Sequence, residues 1–259
     1  NNAAARAARK LQSRQAELEA CADRDTLRIN AELILANQYR LEKGSLFYDL
    51  ENYYSNNEII RIAADPALSP AANAQKYFKE YRKAKVAESM LGELIEQSEQ
   101  ELAYLESVID SVNRADGYTE LAEIRNELYE QGYLKRAKND KTKKAKPMPP
   151  MEYISDDGYT ILVGRNNVQN DLLTFKTAAK DDSWFHTQKI PGSHVVVIGN
   201  GDIIPERTCR QAAILAAYHS GGRESSQVAV DYTEVRLLKK PTGAKPGKVI
   251  YHTYNTMWV

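Results

Sequence analysis

SWFHTQKIPGSHVVVI, residues 183–198, decides how the second half of the chain is read. Two strand-like runs flank Pro191-Gly192, and His186 and His194 fall one on each side of that turn. Strand alternation puts Trp184 and His186 on one face, and the indole belongs in a core. His186 fits either a buried, hydrogen-bonded role or one facing a ligand. Ser193 and His194 are neighbours, so in a strand they point to opposite faces and make a poor nucleophile–base pair.

The two histidines are the only pair placed to converge across a turn. A third metal ligand would have to be Asp181, Asp182, Asp231, His219 or His252, and no CxxC or HExxH spacing supports one. No glycine pattern matches a Walker loop or a dinucleotide fingerprint. Cys209 reads as a mid-helix core residue. The expectation is a chain without metal site or cofactor that binds rather than catalyses, with no constellation for a nuclease or glycosylase.

Working outward, strands are expected at 159–163, 184–187, 195–198, 228–232 and 249–252, with a final edge at 256–259. Helices are expected at 170–179 and 205–220, the second closed by Gly221-Gly222. Residues 151–259 thus read as an α+β domain. Before it, Lys135, Arg136, Lys138, Lys141, Lys143, Lys144 and Lys146 face one acid, Asp140, and Pro147, Pro149 and Pro150 end the run. That composition predicts a flexible basic linker over 135–150.

Residues 1–134 follow another plan. Residues 3–42 lack Gly and Pro and are rich in helix formers. Their apolar stripe runs through Leu11, Leu18 and Cys21, then shifts phase to Leu27, Ala31, Ile34 and Leu41. Over 71–113, Tyr77, Tyr81, Ala84, Leu91, Ile95, Leu102, Leu105, Ile109 and Val112 keep alternating 3/4 spacing, broken by Glu88 and Ser98. The two stretches predict a long antiparallel coiled-coil arm. The connection at 43–70 reads as a small β tip, two apolar runs around Ser55-Asn56-Asn57. Its Phe47, Tyr48, Tyr53 and Tyr54 are candidate partner-binding residues. A shorter helix is expected at 119–131, with Thr119 as N-cap.

Net charge is zero over 259 residues, so any electrostatic partner must be met by a local patch. Three polar loops supply one: Arg165-Asn166-Asn167 after Gly164, Lys189 to Ser193, and the segment carrying Lys239, Lys240, Lys245 and Lys248. Glycine lets backbone N–H groups approach phosphate, Lys and Arg add charge, and His186 or His194 can donate. These are the candidate RNA-binding residues. Two widely separated cysteines, Cys21 and Cys209, suggest no disulfide framework and a reducing, cytoplasmic setting. No apolar run approaches the roughly 20 residues of a membrane span, and no membrane partner is expected. The Ala/Arg-rich opening reads as the middle of a helix, as in the C-terminal portion of something larger.

The ordered motifs resemble a known family. Ile161-Leu162-Val163-Gly164-Arg165-Asn166-Asn167, Trp184-Phe185-His186, Ile190-Pro191-Gly192-Ser193-His194-Val195-Val196, Val230-Asp231-Tyr232-Thr233 and Lys240-Pro241 through Pro246-Gly247 resemble the NFACT-R (DUF814) domain. Ala36-Asn37-Gln38-Tyr39, Glu51-Asn52-Tyr53-Tyr54 and Asp65-Pro66-Ala67-Leu68-Ser69-Pro70 resemble the middle region of the same RqcH-type family, also known as fibronectin-binding protein A. The resemblance implies ribosome-associated quality control. It implies binding to obstructed large ribosomal subunits, through rRNA and the stalk base, and to tRNA, in support of C-terminal alanine tailing by the full-length protein. The alternative it carries is a fibronectin-binding adhesin at the cell surface.

Overall fold

The computed structural model describes residues 1–20, 24–135 and 148–259. Cys21 and most of the expected basic linker, 136–147, lie outside the described residues. The chain divides into two compact units, one of residues 6–100 and one of residues 1–5 with 101–259. This division falls inside the helix that spans Pro70–Arg114.

In the first unit, helices α1 (Asn2–Ala20) and α2 (Arg24–Asn37) precede strands β1 (Phe47–Asn52) and β2 (Glu58–Ala63). The strands form an antiparallel hairpin in which Asn52 pairs with Glu58. Asn56 and Asn57, at the end of the five-residue loop 53–57, take left-handed φ values of 46° and 57°, which asparagine tolerates. Tyr48, Leu50 and Ile62 face inward and meet Leu33 and Ile34 of α2 and Ala74 of the following helix, α3 (Pro70–Arg114). The entry to α3 is fixed by Asn73, whose Oδ1 accepts from the Asp65 backbone at 2.8 Å while its amide donates back to the Asp65 carbonyl at 3.1 Å.

The expected long antiparallel coiled-coil arm is corrected by these elements. The N-terminal part is described by helices of 19 and 14 residues, and among the described helices only α3, at 45 residues, is long. The apolar period of α3 serves different partners along its length rather than one facing helix. Ala74 and Tyr77 pack on the hairpin cluster, buried Ser98 meets the guanidinium of Arg14, and buried Tyr104 bonds to Glu127. A phase shift in the N-terminal stripe and polar Ser98 in the seam already break the heptad that a continuous coil requires.

In the second unit, α4 (Tyr118–Glu130) follows α3, and six strands form one antiparallel sheet in the order β3-β4-β6-β5-β7-β8. They are β3 (Met151–Ile154), β4 (Thr160–Val163), β5 (Ser183–Thr187), β6 (Val195–Val197), β7 (Ala229–Glu234) and β8 (Asn255–Trp258). With β1 and β2, eight strands are described in two antiparallel sheets. Central β5 and β6 are buried on both faces. Phe185, Val195 and Val197 meet α6 (Glu206–Tyr218) through Ala212, Ala213 and Ala216, small residues that let the helix lie close. On the opposite face Trp184 and Val196 pack with Leu173, Val235 and Leu238. The helix expected at 170–179 is instead α5 (Asn167–Leu172) running into a π turn (Leu173–Thr177). Residues 249–252 supply only one bridge, Lys239 with Ile250, and β3 was not foreseen. Thr119 lies inside α4, whose N-cap is Gly117.

Tyr48 is buried, yet its hydroxyl has no hydrogen-bond partner among the described residues. Replacing it with Phe removes a desolvated polar atom and keeps the ring, so Tyr48→Phe should raise stability by about 1 kcal/mol. Urea unfolding checks this; a lowered midpoint would show that the hydroxyl is bonded.

Candidate nucleic-acid interface

The β5–β6 connection is wider than a tight Pro-Gly turn. Lys189 sits at φ 57° and is exposed, Thr187 Oγ1 donates to the Ile190 carbonyl at 2.9 Å, and Gly192 bridges to Ser220. A Cβ on Gly192 would lie 2.8 Å from the Ser220 Cβ, so the segment after α6 leaves room for glycine alone. Ser193 is buried, donates to the Gly164 carbonyl and accepts from Arg114 at 3.1 Å. It faces the protein, not solvent.

Half-buried His186 and buried His194 form an aromatic group with Trp184. Trp184 stacks on His186 at 5.7 Å, and His194 stands edge-on to both rings, at 5.2 and 5.5 Å. His194 Nε2 lies 3.2 Å from the Gly247 carbonyl, which only accepts, so Nε2 carries the proton. Its Nδ1 therefore accepts from the Thr174 hydroxyl at 2.7 Å. Burial holds His186 below the ordinary imidazole range, and burial with neighbouring His186 holds His194 well below it. Both are neutral scaffolding at pH 7. Of the acids named as metal partners, two are engaged elsewhere: Asp231 accepts from Tyr251 at 3.0 Å and Thr256 at 2.7 Å, and Asp182 from two backbone amides. Among the described residues no group of three or more His, Cys, Asp or Glu is placed to hold a metal ion.

The loop after β4 turns inward as well. Gly164 lies against Asn170, where any Cβ would overlap the side-chain oxygen. Asn166 caps α5 by accepting from the Gln169 amide at 2.9 Å and donates to Glu123 at 2.8 Å. Asn167 donates to Ser107 at 3.0 Å and Glu127 at 3.2 Å, while Arg165 pairs with Glu120 and donates to the Pro149 carbonyl at 3.0 Å. Asn166 and Asn167 are thus buried and join the sheet to α3 and α4, so they are not displayed to a ligand.

The basic loop at 239–248 is half embedded. Lys240 pairs with Asp171. Lys245 sits 5.4 Å from the Tyr104 ring and 5.1 Å from the Tyr133 ring and donates to Gln131 at 3.0 Å. Lys239 and Lys248 remain exposed, without an ion pair among the described residues. Exposed cations of this unit therefore include Lys189, Lys239 and Lys248.

Sequence reasoning named Arg165 but did not join it to a second cationic group. Arg114, Arg165, Arg223, Tyr218 and His219 line one open pocket. Arg223 lies 4.3 Å over the Tyr218 ring and donates to its hydroxyl at 2.9 Å. His219 Nε2 lies 2.9 Å from the Tyr153 hydroxyl. Burial and the charges of Arg114, Arg223 and Arg165 push His219 down to about 4. A Gly-Gly-Arg sequence at a helix end was the available signal; Arg114, deep in a helical repeat, offered none.

At the hairpin, Tyr48 lies in the core and is no contact residue. Phe47 is exposed beneath Arg61, 4.2 Å from its ring centroid. Tyr53 and Tyr54 are half exposed and pack together at 4.6 Å, with the Tyr54 hydroxyl bonded to Glu32.

Residues 1–147 match the family described as NFACT N-terminal and middle domains, and residues 150–253 match the NFACT protein RNA binding domain. The chain is 45% identical over 252 residues to the Rqc2 homolog RqcH of Streptococcus pneumoniae and 40% identical over 255 residues to that of Bacillus subtilis. These matches cover 96% and 97% of this chain but only 45% and 44% of the relatives. The chain spans less than half the length of either. A solved structure of the C-terminal part of the fibronectin/fibrinogen-binding protein from Streptococcus suis matches 100% of this chain and 92% of that one, at 39% identity and a TM-score of 0.72.

The histidine pair sets an acid limit. Both folded values lie below the unfolded value near 6.5, so their contribution is present above about pH 6.5 and is lost as pH falls below it. The urea midpoint should fall between pH 7 and pH 5. His194→Gln should lower it at pH 7 and flatten the dependence; an unchanged slope would show that His194 does not set it.

Proposed function

Because this chain belongs to the NFACT family, we propose that it is the RNA-contacting portion of a ribosome-associated quality-control factor. It binds obstructed large ribosomal subunits and tRNA and supports alanine tailing only as part of a longer protein. The observation that carries this reading is the match of residues 150–253 to an RNA-binding domain, on which Lys189, Lys239 and Lys248 are exposed. The relatives named as Rqc2 homologs support the ribosomal setting, and with it a place in the cytosol. No described helix is long and apolar enough to cross a membrane. The role is recognition rather than catalysis: exposed cations meet phosphates while His186 and His194 hold the scaffold.

Cosedimentation with large subunits carrying peptidyl-tRNA tests the reading. Binding should weaken steeply between about 50 and 200 mM salt, as counterion release requires. Lys239→Glu with Lys248→Glu should reduce it about tenfold or more, with the thermal midpoint unchanged. Absence of binding, or binding indifferent to salt, would reject it.

A second reading rests on the likeness to the fibronectin/fibrinogen-binding protein of Streptococcus suis. It predicts saturable binding to immobilised fibronectin in surface plasmon resonance, reduced by changes in residues 151–259. Its absence would leave the ribosomal reading alone.

A further inference from the structure

The pocket beside the end of α6 carries an inference that rests on the RNA-binding reading and locates a contact within it. Arg114 comes from the end of α3, Arg165 from the loop after β4, and Arg223 from the turn after α6. Three separate elements thus bring guanidinium groups to one opening. Each retains unused donors. Arg114 gives Nε and Nη2 to Asp110 and Nη1 to Ser193; Arg165 gives Nε to the Pro149 carbonyl and Nη1 to Glu120. Arg223 gives Nη2 to Tyr218, and its carboxylate contact is distant Glu224, at 3.8 Å and almost fully exposed. A guanidinium has five N–H donors, so all three can still bond to an oxyanion.

Acids temper the site, since Asp116 and Glu120 also line the pocket. Arg114 and Arg165 are ion-paired with Asp110 and Glu120, so Arg223 is the guanidinium without a close carboxylate. At His219 the three arginines all oppose a second positive charge, and Asp116 is the acid that works against them. Partial neutralisation favours a singly charged phosphodiester over a dianion, because the field is local and modest. Tyr218 is 48% exposed and already carries a guanidinium on its ring, the kind of planar surface on which unstacked bases rest.

We infer that the Arg114–Arg165–Arg223 pocket, with Tyr218 at its rim, is a subsite for single-stranded RNA that takes one backbone phosphate against the arginines and the adjoining base on the Arg223–Tyr218 platform. Arg223 and Tyr218 are the residues to change, because both are exposed and neither carries core packing.

Fluorescence anisotropy with a fluorescein-labelled single-stranded RNA 12-mer, on the whole chain, tests this. Arg223→Glu should weaken binding about tenfold or more, Tyr218→Ala about fivefold or more, and Arg223→Ala should lower the log–log salt slope by about 1. Thermal midpoints of the variants should match the parent. If the parent binds RNA and Lys239→Glu with Lys248→Glu weakens it while Arg223→Glu and Tyr218→Ala do not, the subsite is overturned and the RNA reading stands. If the parent binds no RNA, both fall. If Arg223→Glu weakens binding but Tyr218→Ala does not, the base platform is wrong and the inference as stated fails.

Discussion

The second unit depends on one buried carboxylate. Glu127 of α4 accepts from the Tyr104 hydroxyl of α3 at 2.8 Å and from Asn167 at the start of α5 at 3.2 Å, and Asn167 also reaches Ser107 at 3.0 Å. Burial pushes the Glu127 carboxyl above its usual range, and the bonds from Tyr104 and Asn167 work against that rise. Such a network is tolerable only when its members are satisfied, and removing one partner leaves a desolvated polar atom in place. The requirement for joint satisfaction locks two helices to the sheet domain and sets the loop after β4.

That lock propagates to the basic loop. Asn167 packs against Gly247, at φ 79°, where a Cβ would fall 2.7 Å from the asparagine oxygen. The Gly247 amide donates to Asp171 at 3.1 Å, and its carbonyl accepts from His194. With Lys240 on Asp171 and Lys245 between Tyr104 and Tyr133, the loop is fastened at several points. Its sequence looks like a free cationic tether, yet half of its lysines are internal fasteners. A fastened loop presents its remaining charges at fixed positions, which reduces the ordering cost of meeting a rigid polyanion.

Much of the second unit was legible because strand alternation and helix punctuation are local signals. Trp184 and Val195 sit in strands whose pattern speaks for itself, and α6 ends at Tyr218, shortly before the glycines expected to close it, whereas β3, with Tyr153, gave no such pattern. The arm was misread for a physical reason. Periodicity reports that a helix face is buried but not what buries it, and α3 meets hairpin, α1 and α4 in turn. The burial of the polar loop residues was illegible for a related reason. Asn166, Asn167 and Ser193 are polar residues in glycine-bearing loops, a composition shared by phosphate cradles and by buried brackets between elements. Only the positions of Glu123, Glu127 and Arg114, far away in sequence, distinguish the two.

The residues that carry the family resemblance are therefore mostly architectural. Gly164, Gly192 and Gly247 stand where a Cβ would collide with Asn170, Ser220 and Asn167, and His194 works as a neutral hydrogen-bonding spacer. Geometric necessity of that kind admits few substitutes, which makes a motif recognisable without making it a site. Exposed cations face no such constraint, since a charge near a phosphate acts over several ångströms and tolerates a flexible stem. In the proposed reading, recognition by a neutral chain falls to residues that motifs do not mark, at the rims of the scaffold that the motifs build.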